Sequence, residues 1–109
     1  MTVEQLVKEL NLEALALPSP EREIDGAYAG DLLSWVMGRA ESGCGWATLM
    51  TNLNVIAVAS LADVAVTVIC EDSEITDEVI ATAEAKEVNL VRTPVPMYEF
   101  CVSLSELLK

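Results

Sequence analysis

SGCGWATLMTNLNVIAVASLADVAVTVIC, residues 42–70, decides the fold of this chain. It carries one charge, Asp63, although the other 80 residues hold seventeen acids and six bases. Trp46 to Met50 predicts a buried strand. A short polar turn and an apolar helix follow it, and Ala65 to Cys70 predicts a second strand, rich in β-branched residues. A strand that is apolar on both faces belongs in the middle of a parallel sheet covered by helices.

The flanking sequence predicts further helices and strands in alternation. A capping box of Thr2 and Gln5 starts an amphipathic helix, and Asp31 is a good N-cap for a helix through about Ala40, with Leu32, Leu33, Val36 and Met37 facing the sheet. Asn52 or Asn54 caps the central helix, and Thr76 starts another. The remaining predictions are strands at Leu12–Leu17, Ile24–Ala29 and Leu90–Arg92, and a last helix after Pro94 and Pro96.

This order predicts an α/β three-layer sandwich with a mostly parallel sheet of about four to five strands flanked by helices. With 109 residues, 52% of them hydrophobic, we expect a single domain spanning residues 1–109.

The net charge of −12 repels nucleic acid and anionic membrane, so neither is expected as a partner. Polar residues interrupt the uncharged stretch, and the charged N-terminus is unlike an export signal, so we expect a cytoplasmic protein without a membrane span.

Three cysteines, Cys44, Cys70 and Cys101, lack CxxC spacing and lie in or beside apolar segments. This pattern favours reduced, mostly buried thiols over a disulfide framework or a zinc site. Cys44 stands between two glycines and is expected to be the most exposed of the three. No neighbouring base would lower its pKa, although redox sensing is an open alternative.

The usual groups of catalytic sites are missing. The chain has no histidine, no Walker A loop, no GxGxxG and no nucleophile elbow, so no catalytic residue is assigned and an enzyme is not expected. The acids between Glu71 and Glu78 have the chemistry of a divalent-metal site, but their spacing favours a solvated acidic loop. We therefore predict no metal and no cofactor, and an enzyme that uses carboxylates and a metal is the third and weakest hypothesis.

One candidate ligand site follows from the predicted topology. In parallel α/β sheets, ligands bind beyond the carboxyl ends of the strands, where helix N-termini present free amides. The same side chains also serve as ordinary helix caps or turn residues, and that structural alternative stays open. The candidate ligand-binding residues are Asp31, Thr51, Asn52, Asn54 and Thr93.

Over nearly its full length the chain resembles the DRTGG domain family. The resemblance rests on the helix at the start, on AYAGDLLSWVMGRA at residues 27–40, on MTNLNVIAVASLADVAVTVIC at 50–70, and on a closing pattern from ITDEVI to PMYEF at 75–100. Where the family often has Asp-Arg after the third strand, this chain has Thr51 to Asn54. Where the family often has Thr-Gly-Gly, it has Cys70, Glu71 and Asp72. These replacements disfavour an anionic ligand at that edge.

The resemblance implies a regulatory or associative role without catalysis, a tendency to dimerise, and a fold similar to the N-terminal domain of HPr kinase. Family members occur beside CBS domains in regulated pyrophosphatases, inside phosphotransacetylases and near hydrogenase genes, which implies association with a hydrogenase or a central metabolic enzyme. The leading hypothesis is therefore a non-catalytic regulatory or adaptor module that forms a homodimer and contacts a protein partner. The alternative is a sensor of a small, nucleotide-like molecule at the carboxyl edge of the sheet.

The apolar content supports a dimer. Trp35 lies beside Met37 on a predicted helix whose apolar positions exceed one face, and the mean hydropathy of +0.39 is high for so small a chain. A core of this size cannot readily bury that much apolar surface. We therefore expect a homodimer interface formed by helix or edge-strand surfaces.

Overall fold

The computed structural model describes all 109 residues as five strands alternating with five helices. The predicted element types and their order are confirmed. The strands are β1 (Glu13–Ala16), β2 (Gly26–Ala29), β3 (Cys44–Thr48), β4 (Val66–Ile69) and β5 (Leu90–Arg92). The helices are α1 (Val3–Leu10), α2 (Leu33–Arg39), α3 (Leu53–Ala62), α4 (Asp77–Ala85) and α5 (Met97–Leu107).

The five strands form one mostly parallel sheet, as predicted, in the order β1-β5-β4-β3-β2. The pairs β2–β3, β3–β4 and β4–β5 are parallel, whereas β1 lies antiparallel to β5 at one edge. The two strands of the 42–70 stretch, β3 and β4, are central neighbours and are buried along their whole length. An apolar run without alternation is typical of such strands.

Helices cover both faces of the sheet, so the three-layer sandwich is confirmed. One core cluster joins the sheet to α2, α3 and α4, with Trp46 and Ile56 among its fully buried members. The other joins the opposite face to α1 and α5 through Leu6, Phe100 and Leu104. None of the five helices has the length and apolar character that crossing a bilayer requires.

Local capping signals are confirmed where they involve only neighbouring residues. The Thr2 side chain accepts a hydrogen bond from the Gln5 amide, and the Gln5 side chain accepts one from the Thr2 amide. Asn52 caps α3 and Thr76 caps α4. Each cap satisfies an N–H group of the first helical turn that has no partner within the helix.

The prediction that Asp31 caps α2 is wrong. The N-cap position of α2 is Leu32, which makes no side-chain capping bond. The Asp31 carboxylate instead accepts hydrogen bonds from the Thr48 hydroxyl at 2.7 Å and from the Leu49 amide at 2.8 Å. These two donors come from the end of the neighbouring strand β3, and their positions depend on tertiary structure that local sequence does not describe.

The predicted orientation of α2 is also partly wrong. Only Val36 of the four predicted sheet-facing residues is buried, and Leu33 is half-buried, whereas Leu32 and Met37 are exposed. The helix has just seven residues, and it packs chiefly against α3 rather than centrally on the sheet. Two of its four large apolar side chains, Trp35 and Met37, therefore lie at the surface.

The prediction that Cys44 is the most exposed of the three cysteines is also wrong. This thiol is only 3% exposed, whereas Cys101 on α5 is half-buried and is the most accessible of the three. Cys44 begins the central strand β3, where neighbouring strands and the core cluster enclose it. The flanking glycines therefore do not produce an exposed loop, and all three cysteines are free thiols, as predicted.

Candidate functional site

The N-termini of α3 and α4 enclose an open cleft of about 640 Å³ at the carboxyl edge of the sheet. The cleft lies there because β3 and β4 are adjacent parallel strands, so the loops that leave their carboxyl ends meet. Its lining residues are Leu49, Met50, Thr51, Asn52, Leu53, Asn54, Thr76, Glu78 and Val79.

The structure brings together three of the five candidate residues. Thr51, Asn52 and Asn54 line the cleft, whereas Asp31 and Thr93 do not. Thr93 is 2% exposed, and its hydroxyl accepts a hydrogen bond from the Val95 amide at 3.3 Å within a turn. The Thr93 side chain, which directly follows β5, thus stabilises the turn that leads to Val95.

Asp31 shapes the cleft from outside it. Its two hydrogen bonds, to the Thr48 hydroxyl and to the Leu49 amide, join the loop after β2 to the residue at which the cleft begins. The Thr48 hydroxyl also accepts a hydrogen bond from the Met50 amide at 3.2 Å. Asp31 is therefore a positioning residue for the wall of the cleft that Leu49 and Met50 form.

The groups that the cleft offers to a ligand are amides and a carboxylate. The side chains of Asn52 and Thr76 already accept hydrogen bonds from Asn54 and Val79 amides of their own helices. The side-chain amide of Asn54 has no hydrogen-bond partner in the protein and is exposed. The first-turn amides of Leu53 and Glu78 also lack partners. Together with the carboxylate of Glu78, these groups can donate hydrogen bonds to a polar ligand and accept them from it.

Sequence reasoning did not assign the α4 side of the cleft. The sequence predicts Thr76 as a helix start and places Glu78 among the solvated acids, yet both residues line the cleft together with Asn54. The signal that identifies them is topological, because loops after adjacent parallel strands share one edge. Because β3 and β4 are adjacent, the loop that leads into α4 lies beside the loop that leads into α3.

Charge at this edge of the sheet is negative. Glu78 is the only charged residue that lines the cleft. Arg92, at the carboxyl end of β5, is ion-paired with Glu13 at 2.9 Å and lies 3.9 Å from Asp72. Across the whole chain, no three His, Cys, Asp or Glu side chains cluster closely enough to hold a metal ion. The cleft therefore offers no cation to neutralise a phosphate group.

The thiols provide no activated nucleophile. Burial raises the pKa of the Cys70 thiol to about 12, and burial also raises the pKa values of Cys44 and Cys101. A thiol with a raised pKa is protonated at neutral pH, and the thiolate is the reactive form. Since the chain has no histidine that would deprotonate them, none of these cysteines has the environment of a catalytic residue.

Comparison with solved structures finds chains of similar fold. No family model matches the sequence, and no curated protein is similar to it. The fold is similar to the CBS and DRTGG domains of the regulatory region of Clostridium perfringens pyrophosphatase, a structure complexed with the activator diadenosine tetraphosphate. The TM-score is 0.72 at 11% sequence identity, over 93% of this chain and 44% of that chain. This likeness shows that the two chains share a fold.

Proposed function

We propose that this chain is a non-catalytic regulatory module of the DRTGG type that acts as a homodimer. The observation that carries the proposal is the structural likeness to a pyrophosphatase regulatory region over 93% of the chain. The absence of histidine and of an activated thiol agrees with a role in binding rather than catalysis. The resemblance seen in the sequence extends the proposal to a protein partner, either a hydrogenase or a central metabolic enzyme.

Three free thiols suit a reducing compartment, so we place the module in the cytoplasm. Nucleic acid and anionic membrane are disfavoured as partners because a net charge of −12 repels polyanions. The surface that would form the dimer therefore has to avoid apposing like charges.

An exposed apolar surface on α2 and α3 supports the dimer. We call it the α2–α3 face, and between residues 32 and 62 the chain carries only two charges, those of Arg39 and Glu41. A second copy approaching this face meets few of the eighteen acids, which lie mostly elsewhere. The exposed large apolar side chains of α2, of its N-cap and of α3 are Leu32, Trp35, Met37, Leu53 and Leu61.

Leu61→Lys is expected to weaken dimerisation by at least ~100-fold, or about 2.7 kcal/mol. Leu61 is 74% exposed, so its replacement leaves the core of the monomer intact, but a buried lysine at the interface lacks a partner. Sedimentation equilibrium of the wild type and the variant measures the two dissociation constants.

Tyr98→Lys is the matched control, because Tyr98 is 79% exposed and lies on α5 in the opposite layer. It adds the same charge to the chain and is expected to leave the dimer unchanged. A wild-type protein that is monomeric at tens of micromolar would contradict the homodimer. Equal weakening by both lysines would contradict the assignment of the interface.

A second candidate function is the sensing of a small, nucleotide-like molecule in the cleft. Two observations favour it: two helix N-termini enclose the cleft, and the similar regulatory region was crystallised with a nucleotide activator. Glu78 and the lack of a base predict that contacts are made to the nucleobase or ribose rather than to phosphates. Adenosine is therefore expected to bind at least as well as ATP.

A thermal-shift series with adenosine, ATP and diadenosine tetraphosphate tests this second function. A ligand at 100 times its Kd stabilises the native state by about 2.7 kcal/mol and raises the Tm. Asn54→Ala is expected to remove the shift without lowering the Tm of the free protein, because the Asn54 side chain has no partner in the protein. No shift with any of the three compounds would argue against nucleotide sensing.

A further inference from the structure

A groove of about 250 Å³ lies between α3 and α4. It reaches along α3 from Leu53, which it shares with the cleft, to Leu61, and this stretch of helix spans about 12 Å. Its lining residues are Leu53, Ile56, Ala57, Ser60, Leu61, Thr82 and Lys86.

The α3 wall of the groove is apolar. Leu53, Ala57 and Leu61 recur at every fourth position, which places them on one face of the helix, and all three are exposed. Ile56, which is fully buried, lies beneath them. An apolar chain that covers this wall removes its own surface and that of the wall from water, which is the main driving force for binding in such grooves.

The α4 wall adds one charge. Lys86 is the only charged residue that lines the groove, and its ammonium forms neither an ion pair nor a hydrogen bond within the protein. The hydroxyl of Ser60, which also lines the groove, has no hydrogen-bond partner either. An ammonium and a free hydroxyl are donors that a carboxylate can accept from.

The free state of Lys86 sets it apart from the other bases of the chain. The sequence has six bases, and each of the other five has an acidic or aromatic partner. These partnered bases are Lys8 with Glu4, Arg22 with Asp63, Arg92 with Glu13, Lys109 with Glu106, and Arg39 on the ring of Trp35. The one cation that is left without a partner thus lies at the one groove that no acid lines.

We propose that this groove binds a small amphipathic carboxylate, with its unbranched apolar chain against α3 and its carboxylate on Lys86. The α3 wall of about 12 Å suits a chain of medium length. A single lysine balances a single negative charge, so a carboxylate fits better than a doubly charged phosphate. The flexible four-carbon stem of lysine allows the ammonium to reach the carboxylate at the end of the chain.

The proposal goes beyond the homodimer and does not depend on it, because residues of one chain form the whole groove. Leu53 and Leu61 are nevertheless also exposed apolar side chains of the α2–α3 face. A second copy that covers them competes with the ligand. The apparent Kd of the ligand is therefore expected to rise with protein concentration if the dimer forms there, and to stay constant if the chain is a monomer.

Sodium octanoate is the probe, measured by isothermal titration calorimetry. We expect a Kd below about 1 mM, and at least ~10-fold weaker binding of octanol, which has the same chain without the charge. Because the net charge of −12 repels anions from the protein as a whole, a preference for octanoate requires a local cation.

Lys86→Met keeps an unbranched apolar side chain, removes the ammonium, and is expected to weaken octanoate binding at least ~10-fold. Lys8→Met is the matched control. It makes the same change in net charge on α1, where the Lys8 side chain is 75% exposed, and is expected to bind octanoate like the wild type.

Ala57→Phe tests the location of the ligand without changing any charge. Its ring occupies the groove from the exposed α3 wall, so octanoate binding is expected to weaken at least ~10-fold. Ala81→Phe, at an exposed position of α4 that does not line the groove, is its control. No octanoate binding at about 1 mM, or equal binding by Lys86→Met and Lys8→Met, would overturn the proposal. Weakening by Lys86→Met without weakening by Ala57→Phe would place the ligand outside the groove and would overturn it as well.

Discussion

Replacing Trp46 with alanine is expected to lower the free energy of unfolding by about 3–5 kcal/mol, as large-to-small changes of buried tryptophans do. Trp46 is fully buried in the cluster beneath α2, α3 and α4. Its indole N–H also donates a hydrogen bond to the Gly30 carbonyl at 2.9 Å. The variant therefore loses packing in the core and releases the loop after β2, which contains Asp31.

Trp46→Phe separates these two contributions, because phenylalanine keeps part of the volume but has no N–H donor. We expect it to cost about half as much as Trp46→Ala. Urea denaturation at one fixed protein concentration measures both variants, since the stability of a dimer depends on concentration. A loss below about 1 kcal/mol for Trp46→Ala would mean that this side chain is not part of a well-packed core.

Asn89→Ala is expected to lower the free energy of unfolding by about 3 kcal/mol, because it leaves several buried polar groups without partners. Asn89 is 3% exposed. Its amide nitrogen donates to the carbonyls of Ser19 at 2.7 Å and Ala65 at 2.9 Å, and its oxygen accepts from the Ser19 amide at 3.0 Å. This one side chain thus joins the connection between β1 and β2 to the central part of the sheet.

Asn54→Ala is the matched control, because it makes the same chemical change at an exposed asparagine whose side chain has no partner. The free energy of unfolding of this variant should stay within about 0.5 kcal/mol of the wild-type value. Hydrogen exchange of the Ser19 amide gives a second measurement, since its protection should fall in Asn89→Ala and not in Asn54→Ala. Similar stability losses in the two variants would contradict the role assigned to Asn89.

Much of the candidate site follows from the sequence because its caps are local. Asn52 lies two residues before its hydrogen-bond donor, and Thr76 lies three residues before its donor. Such short-range bonds form wherever a helix begins, so residue type and spacing predict them. The location of the cleft follows from parallel topology, but the residues that α4 contributes depend on which strands are neighbours.

Asp31, Thr93 and Cys44 show where sequence reasoning stops. Asp31 has the right residue type for a cap, yet its carboxylate instead accepts hydrogen bonds from Thr48, at the end of β3, and from Leu49, which follows it. Cys44 follows a glycine and Thr93 precedes a proline, and both signals are typical of exposed loops. Both residues are nevertheless buried. Burial depends on what packs against a residue, and that information is distributed over the whole chain.

The sequence by itself determined the α/β class, the parallel core built from residues 42–70, and the starts of α1, α3 and α4. Each of these depends on hydrophobic pattern or on hydrogen bonds that span a few residues. Only the tertiary structure decided that β1 joins antiparallel at one edge, that Leu32 and Met37 are exposed, and that β2 is the other edge strand. Strand order and helix placement result from packing among distant segments, so no local pattern encodes them.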